Sequence, residues 1–226
     1  RKGSIGNQLF NTIYLVFISL LFSIPLGVTA GIYLAMYAKK GFLTKFLRIC
    51  IETLSSLPSI VVGLFGYLVF LVFFGLGKSL LAGALSVSIL AIPVITTTTE
   101  DAINGLPGHY LQASLGLGAT RWQSIYKVVI PAAGSGILSG IILGLARAFG
   151  EALAVAMVIG QTTALPKGLF STTKSLTTEI AAQMGNATEG GEMKTALWTM
   201  ALLLFLLSLL FILLIHYFSR PKKDKE

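Results

Sequence analysis

Charged residues are scarce in this chain. Asp, Glu, Lys and Arg make up 12% of the 226 residues, whereas 54% are hydrophobic and the mean hydropathy is +0.83. Soluble domains carry about 25% charged residues. A chain this apolar would aggregate in water, so the composition excludes an ordinary soluble domain and indicates a protein built for lipid.

Cysteine, histidine and nucleotide-binding motifs are also sparse. The single cysteine, Cys50, excludes an internal disulfide, and His109 and His216 are too isolated to indicate a metal site. The chain lacks the Gly-x4-Gly-Lys-Ser/Thr loop that cradles nucleotide phosphates. We therefore expect no metal and no cofactor bound by this chain, and no ATP hydrolysis by it alone.

Long hydrophobic runs are what the sequence has in quantity. A helix needs about 20 apolar residues to cross the hydrocarbon layer. The sequence predicts an all-α polytopic helical bundle, with Pro25 and Gly27 tilting or kinking the first span and Pro93 near the exit of the third. Five spans are predicted, at about residues 9–37, 58–74, 79–95, 132–159 and 196–217.

Basic residues orient these spans, because Lys and Arg in short connections stay in the cytoplasm. Three clusters fall on one side of a five-span protein: Lys39, Lys40, Lys45 and Arg48; Arg121 and Lys127; and Arg220, Lys222, Lys223 and Lys225. The opposite side receives a loop at about 160–194, in which Lys167, Lys174 and Lys194 are offset by Glu179, Glu189 and Glu192. The net charge of +8 then follows from topology and contact with anionic membrane lipid, and no nucleic-acid partner is needed.

A polar stretch, QASLGLGATRWQSIYKVVIP at residues 112–131, lies between two apolar segments. Small side chains at Ala113, Ser114 and Ala119 give a surface that fits a cleft of a partner, and Gly118 can end the helix. The alternative is an ordinary amphipathic connector between two spans.

This stretch resembles the cytoplasmic "EAA" loop of ATP-binding-cassette importer permeases. The spacing of that loop is kept, although the Glu at its first position is replaced by Gln112 and the Ala at its third position by Ser114. The resemblance implies the type I importer permease fold, in one domain over residues 1–226 with a coupling loop at about 96–131. It assigns contact with the ATPase to Gln112, Ala113, Ser114, Gly118, Ala119, Thr120, Arg121 and Pro131.

The fourth span carries two opposite charges, Arg147 and Glu151, four residues apart. At this spacing they share a helical face and are expected to pair. Charges inside a membrane are costly and usually face a bundle interior or an aqueous path, so we place both on the substrate pathway. The alternative is a pair that only braces two helices.

The same span contains small residues at every fourth position. Such stripes allow close packing of helices in membranes. The stripe consists of Ala132, Gly136, Gly140, Gly144 and Ala148.

Three further segments resemble the permease subunits of phosphate-specific importers: LPSIVVGLFG at 57–66, GATRW at 118–122 and ARAFGE at 146–151. The continuation ALAVAMVIG at 152–160 is more similar to the first of the two paired subunits. The resemblance implies a heterodimer with a second permease subunit, two ATP-binding subunits that use ATP and Mg, an extracytoplasmic phosphate-binding protein, inorganic phosphate as substrate, and a prokaryotic cell membrane. The alternatives are a permease for another oxyanion, molybdate or sulfate, and, from a different class, a secondary transporter or membrane-embedded enzyme.

Permeases of this kind commonly carry one more N-terminal span. Five crossings put Arg1 and Lys2 outside, against the charge rule, and the chain begins with Arg rather than Met. We therefore expect a sixth span upstream of these residues.

Other polar residues give weaker signals. Thr96–Thr99, followed by Glu100 and Asp101, are expected to cap the helix that enters the coupling loop, with a threonine lining of the pore as the alternative. Trp122, Trp198 and Tyr217 are expected to anchor at the membrane interfaces.

Overall fold

The computed structural model describes residues 5–39, 41–162, 164–185 and 191–218. Several residues used in the orientation argument lie outside this described part: Arg1, Lys2, Lys40, Glu189, Arg220, Lys222, Lys223 and Lys225, together with the side chain of His216. In the described residues the secondary structure is helical, which confirms the all-α prediction.

Eleven α-helices are present in the described residues, with π-helical turns at Tyr67–Phe73 after α3 and at Ile125–Val129 between α6 and α7. The helices are α1 (Ile5–Met36), α2 (Phe42–Ser56), α3 (Ser59–Gly66), α4 (Leu80–Asn104), α5 (His109–Gly116), α6 (Arg121–Ser124), α7 (Ile130–Ala132), α8 (Gly134–Gly150), α9 (Leu153–Val158), α10 (Leu176–Gln183) and α11 (Glu192–Phe218).

Three of these helices, α1, α4 and α11, are long and apolar enough to cross a membrane alone. Two bent pairs complete the set. Residues Phe42–Ser56 and Ser59–Phe73 meet at 104°, and residues Arg121–Ala132 and Gly134–Gly150 meet at 68°. If each bent pair is one span, the described residues contain five spans, the number predicted, but the second and fourth spans then begin at Phe42 and Arg121 rather than near residues 58 and 132.

The predicted C-terminal limits of the third and fourth spans were also wrong. The third span does not stop near residue 95, because α4 continues as one helix to Asn104. Thr96–Thr99 and Glu100 therefore lie inside α4 and cap no helix, since the N-cap of α4 is Ser79. The fourth span does not continue to residue 159, because α8 ends at Gly150 and Glu151 has extended backbone, with ψ 118.

Helix α4 lies between α1 and α8. Ile95 of α4 meets glycines on both sides: a Cβ at Gly27 of α1 would lie 2.8 Å from Ile95 Cβ, and a Cβ at Gly144 of α8 would lie 2.9 Å from Ile95 Cγ1. Gly31 approaches Thr99 in the same way, with a Cβ 2.6 Å from Thr99 Cβ. These distances are shorter than ordinary van der Waals contact, so the three backbones approach closely only because glycine is present.

The glycine stripe of α8 faces α4 along its length. A Cβ added at Gly136 would lie 2.5 Å from Ala102 Cβ, and one at Gly140 would lie 2.8 Å from Thr98 Cβ. The small-residue stripe thus packs against a helix of the same chain.

Apolar side chains cover much of the outer surface. Helix α11 is long and hydrophobic, but only 11% of its most apolar window is buried inside the bundle. One of its inward contacts is the stacking of Phe211 on Phe149 of α8, with ring centroids 4.8 Å apart. The outward side chains of α11 have the character of a lipid-facing surface.

The bundle has two ends. One end, which we call the docking end because it holds the predicted docking surface, carries α5, α6 and the last turn of α1. The opposite end carries the first turns of α1 and α4, together with residues 159–162 and 164–183.

We predict that Gly140→Ala destabilises the bundle and that Gly134→Ala does not. The first substitution forces a Cβ to within 2.8 Å of Thr98 Cβ, whereas the second meets nothing within 4 Å. Overpacking of this kind costs about 1–3 kcal/mol, while Ala in a helix is favoured over Gly by about 1 kcal/mol. The measurement is the midpoint of thermal unfolding of the purified protein, and equal midpoints for the two variants would contradict the packing described above.

Candidate functional site: the docking end and the break after α8

Helix α5 presents the first part of the predicted docking surface. Gln112 and Ala113 are exposed, and Ser114 is half-buried. None of the residues of α5 is fully buried. Leu111 packs against the buried cluster of Ile103 and Val129, whereas Gln112 and Ala113 on the same short helix are left exposed.

Gly118 ends α5 in a Schellman motif. The Ala119 N–H donates to the Ser114 carbonyl at 3.2 Å, and the Gly118 N–H donates to the Leu115 carbonyl at 3.0 Å. This motif requires a left-handed residue, and Gly118 has φ +86. The glycine in the predicted motif is thus needed for its backbone conformation, which turns the chain from α5 into α6.

Thr120 begins α6 with a capping box. Its hydroxyl accepts from the Gln123 N–H at 3.3 Å, and Gln123 Oε1 accepts from the Thr120 N–H at 2.9 Å. Two N–H groups at the start of the helix are thereby satisfied. Ser114 Oγ donates to Ser124 Oγ at 2.9 Å, which joins α5 to α6.

Arg121, which was predicted to contact the ATPase, contacts the end of α1 in its own chain. Its guanidinium donates to the carbonyl of Met36, the last residue of α1, and lies over the Tyr37 ring with Cζ 5.4 Å from the centroid. A cation at a helix C-terminus is favoured by the helix dipole, and stacking on an aromatic ring adds to this. Arg121 thus connects α6 to the end of α1, and Pro131 lies farther along on the bend that leads into α8.

Arg147 and Glu151 do not pair. The ion pairs found among the described residues are Arg48–Glu100 and Lys174–Glu179. The predicted pairing was wrong because it required one continuous helix, whereas α8 ends at Gly150. Glu151 Oε1 instead accepts from the Ala154 N–H at 3.1 Å, at the start of α9.

Arg147 lies one turn before the end of α8 and is half-buried. The residues Glu151 and Ala152 separate α8 from α9 and form what we call the break. The guanidinium therefore lies near an interruption of the helical backbone in the middle of the chain's fourth apolar segment.

The Arg48–Glu100 ion pair was missed by the sequence reasoning. Glu100 is only 6% exposed and its carboxylate pairs with Arg48 of α2, which ties that helix to α4. The signal available in the sequence was an acidic residue at the end of an apolar window with a basic amphipathic segment upstream. Glu100 was predicted to cap a helix because the third span was predicted to end near residue 95.

The opposite end contains a second set of polar residues that the sequence reasoning missed. Lys174 Nζ lies 2.8 Å from Glu179 Oε2, and both side chains are nearly buried. Asn11 Nδ2 of α1 donates to the Lys174 carbonyl at 3.2 Å. A sequence signal existed, since Gln8, Asn11 and Thr12 recur at helical spacing in an otherwise apolar helix.

No group of three or more His, Cys, Asp or Glu side chains suited to a metal ion is found in the described part of the chain. Cys50 is a free, half-buried thiol.

Residues 27–223 match the family described as "Binding-protein-dependent transport system inner membrane component". The chain belongs to this family. It is therefore a membrane permease component of an ABC transport system.

Named relatives agree with this membership. The chain is 42% identical over 95% of its length to the "Probable ABC transporter permease protein YqgH" of Bacillus subtilis, of which it covers 71%. It is 33% identical over 98% of its length to the "Phosphate transport system permease protein PstA 2" of Mycobacterium bovis, covering 74% of that protein. It is 31% identical over 87% of its length to the "Phosphate transport system permease protein PstC" of Pasteurella multocida, covering 68% of it.

The fold matches those of chains in solved ABC transporters. An inward-facing structure of the MetNI methionine ABC transporter aligns with a TM-score of 0.74 at 19% identity, over 96% of both chains. At this identity the likeness concerns the fold alone, which is that of type I importer permeases.

In this permease, we predict that Gly118→Ala loosens the end of α5 and that Gly116→Ala does not. Neither added Cβ meets another atom within 4 Å, but only Gly118 has positive φ, at +86. Ala in that conformation costs about 1–2 kcal/mol. Amide hydrogen exchange at Gly118 and Ala119 should quicken by about 5- to 30-fold in the first variant, and equal exchange in both variants would contradict the assignment of the Schellman motif.

Proposed function

We propose that this permease is the transmembrane subunit of an ATP-driven importer of inorganic phosphate and forms half of its translocation pore. The observation that carries the proposal is Arg147, a half-buried guanidinium beside the break with no carboxylate paired to it among the described residues. A cation inside a membrane is costly unless something compensates it. A partly dehydrated oxyanion passing the break supplies that compensation.

Guanidinium suits this substrate. Its planar fork of N–H donors matches phosphate oxygens, and charge-assisted hydrogen bonds are about twice as strong as neutral ones. Glu151 lies beside this path and engages the Ala154 N–H through its carboxylate. Glu151 does not pair with Arg147, so we propose instead that its negative charge opposes tight binding of the anion without a direct contact to Arg147.

Relatives named as phosphate transport permeases support phosphate over other oxyanions. They include members named as PstA and as PstC, so both kinds of paired subunit resemble this chain. We retain the first of the paired subunits as the proposed identity.

The proposed partners are based on two features of the chain, the lack of a nucleotide-binding loop in its sequence and the exposed surface of α5. The chain has no nucleotide-binding loop, so two ATP-binding subunits hydrolyse ATP with Mg. These subunits receive the exposed surface of α5 at Gln112 and Ala113. A second permease subunit completes the pore, and an extracytoplasmic phosphate-binding protein delivers the anion.

The contacts within the chain give a route for coupling by alternating access. Movement of α5 and α6 reaches the end of α1 through Arg121 and the Met36 carbonyl. The close glycine contacts then transmit this movement from α1 to α4 and from α4 to α8. Helix α8 ends beside the break. Docking of ATP-loaded subunits therefore acts on the same rigid block that carries Arg147.

We predict that Arg147→Ala abolishes most phosphate uptake while the complex still assembles. Loss of hydrogen bonds from a charged donor should lower uptake by about 10- to 100-fold, and Arg147→Lys should recover only part because a point charge replaces a fork. The measurement is uptake of radiolabelled phosphate in cells expressing the whole transporter, with assembly checked by co-purification.

Lys167→Ala is the matched control, because it removes a cation from an exposed position. Normal uptake by an assembled Arg147→Ala transporter would reject the role of Arg147. Absence of phosphate uptake by the assembled wild-type transporter, together with uptake of molybdate or sulfate, would reject phosphate as the substrate.

A further inference from the structure

Residues 169–176 are built into the opposite end of the bundle. The Leu80 and Leu81 N–H groups, at the start of α4, donate to the carbonyls of Ser171 and Leu169 at 3.0 and 2.9 Å. These are among the donors that a helix leaves unpaired at its N-terminus. On α1, Thr12 Oγ1 accepts from the Leu176 N–H at 2.9 Å. The segment therefore supplies acceptors to the start of α4 and a hydrogen bond to α1, and its residues 173–176 are buried.

A buried ion pair fixes this segment. Lys174 and Glu179 are five residues apart, their charged atoms are 2.8 Å apart, and their side chains are 8% and 11% exposed. Removing one partner of such a pair leaves an uncompensated buried charge, whereas removing both does not. The pair therefore holds the turn that leads into α10 in one arrangement.

Helix α10 reaches the break directly. Its first turn places Thr177, which is buried, so that Thr177 Oγ1 donates to the Glu151 carbonyl at 2.9 Å. That carbonyl lies just past the end of α8, where no intrahelical donor follows. A side chain 26 residues later in the chain thus satisfies the backbone of the break.

The hydroxyl of Thr177 is itself held in place. Ser175 Oγ lies 2.9 Å from Thr177 Oγ1, and Ser175 also forms the capping box of α10 with Thr178. Ser175 Oγ also donates to Thr178 Oγ1 at 3.1 Å, so its one proton is shared between the hydroxyls of Thr177 and Thr178. The position of the Thr177 hydroxyl is therefore held by α10 and its cap, and its own proton is directed to the Glu151 carbonyl.

We propose that Thr177, held by the Lys174–Glu179 ion pair, is a positioning residue for transport, which fixes the backbone of the break and with it the placement of Arg147 one turn upstream. This proposal rests on the proposed function, in which Arg147 meets the anion. None of the three residues contacts the anion. They act through the Glu151 carbonyl.

Thr177→Val tests the hydrogen bond, because it keeps the shape of the side chain and removes the hydroxyl. In the complete transporter, amide exchange at residues 152–156 should quicken by about three- to tenfold, the loss expected for one hydrogen bond. The maximal rate of phosphate uptake should fall by a similar factor, and Thr177→Ser, which keeps the hydroxyl, should restore both. Thr162→Val is the control, since it removes an exposed hydroxyl bonded to Thr172 in the same segment.

Unchanged exchange in Thr177→Val would overturn the proposal, and so would unchanged uptake in a wild type that carries phosphate. So would an equal defect in Thr177→Ser, because the hydroxyl would then not be the group that matters.

The ion pair is tested by Lys174→Met, Glu179→Met and the double variant. Each single change should quicken exchange at residues 171–183 by about tenfold or more, and the double change should recover most of the loss, because no buried charge is left unpaired. Single variants that behave as the wild type, or a double variant no better than the single ones, would overturn the role of the pair.

The two readouts separate this proposal from the proposed function. Amide exchange needs no substrate, so it tests the positioning of the break even if the wild-type transporter does not carry phosphate. Absence of phosphate uptake by the wild type would reject the substrate alone, whereas unchanged exchange in Thr177→Val would reject the positioning role alone.

Discussion

The close approach of α4 to α1 on one side and to α8 on the other is the contact on which the rest of the structure depends. The Ile95 side chain fits between Gly27 and Gly144, and a side chain at either glycine position would overlap it. Lipid tails are as apolar as these helices, so burial alone does not drive their association, and tight packing must supply it. The glycine contacts therefore make α1, α4 and α8 one block, and both ends of the permease are attached to it.

Each end of the block is completed by hydrogen bonds that the helices cannot make for themselves. At the docking end, Arg121 binds the terminal carbonyl of α1 and Gly118 turns the chain from α5 into α6. At the opposite end, carbonyls of residues 169 and 171 accept from the first N–H groups of α4. Backbone groups left unpaired near lipid are costly, so these contacts are also what keeps the ends in fixed positions relative to the block.

The sequence predicted the features that depend on local pattern. The apolar spans, the glycine stripe facing another helix and the turn at Gly118 all follow from periodicity or from one residue's backbone freedom. Prediction from sequence failed where contacts between distant residues determine the structure. Spacing alone cannot reveal that α8 ends at Gly150, so the predicted pairing of Arg147 with Glu151 spanned a break in the helix. The contact between Asn11 and Lys174 was also missed, because the two residues are 163 positions apart in the chain.

The most direct test of the single block is a distance across it in the complete transporter. Spin labels at His109→Cys and Phe170→Cys, both exposed positions, would report the separation of the two ends. The background is Cys50→Ser, which removes the one cysteine of these 226 residues, with any cysteine elsewhere in the complex also replaced. Pulsed electron paramagnetic resonance with and without a non-hydrolysable ATP analogue should give distances equal to within about 2 Å, the scale of small helix shifts. A change of about 5 Å or more, the size of a one-turn shift, would contradict the account, because the ends would then move independently.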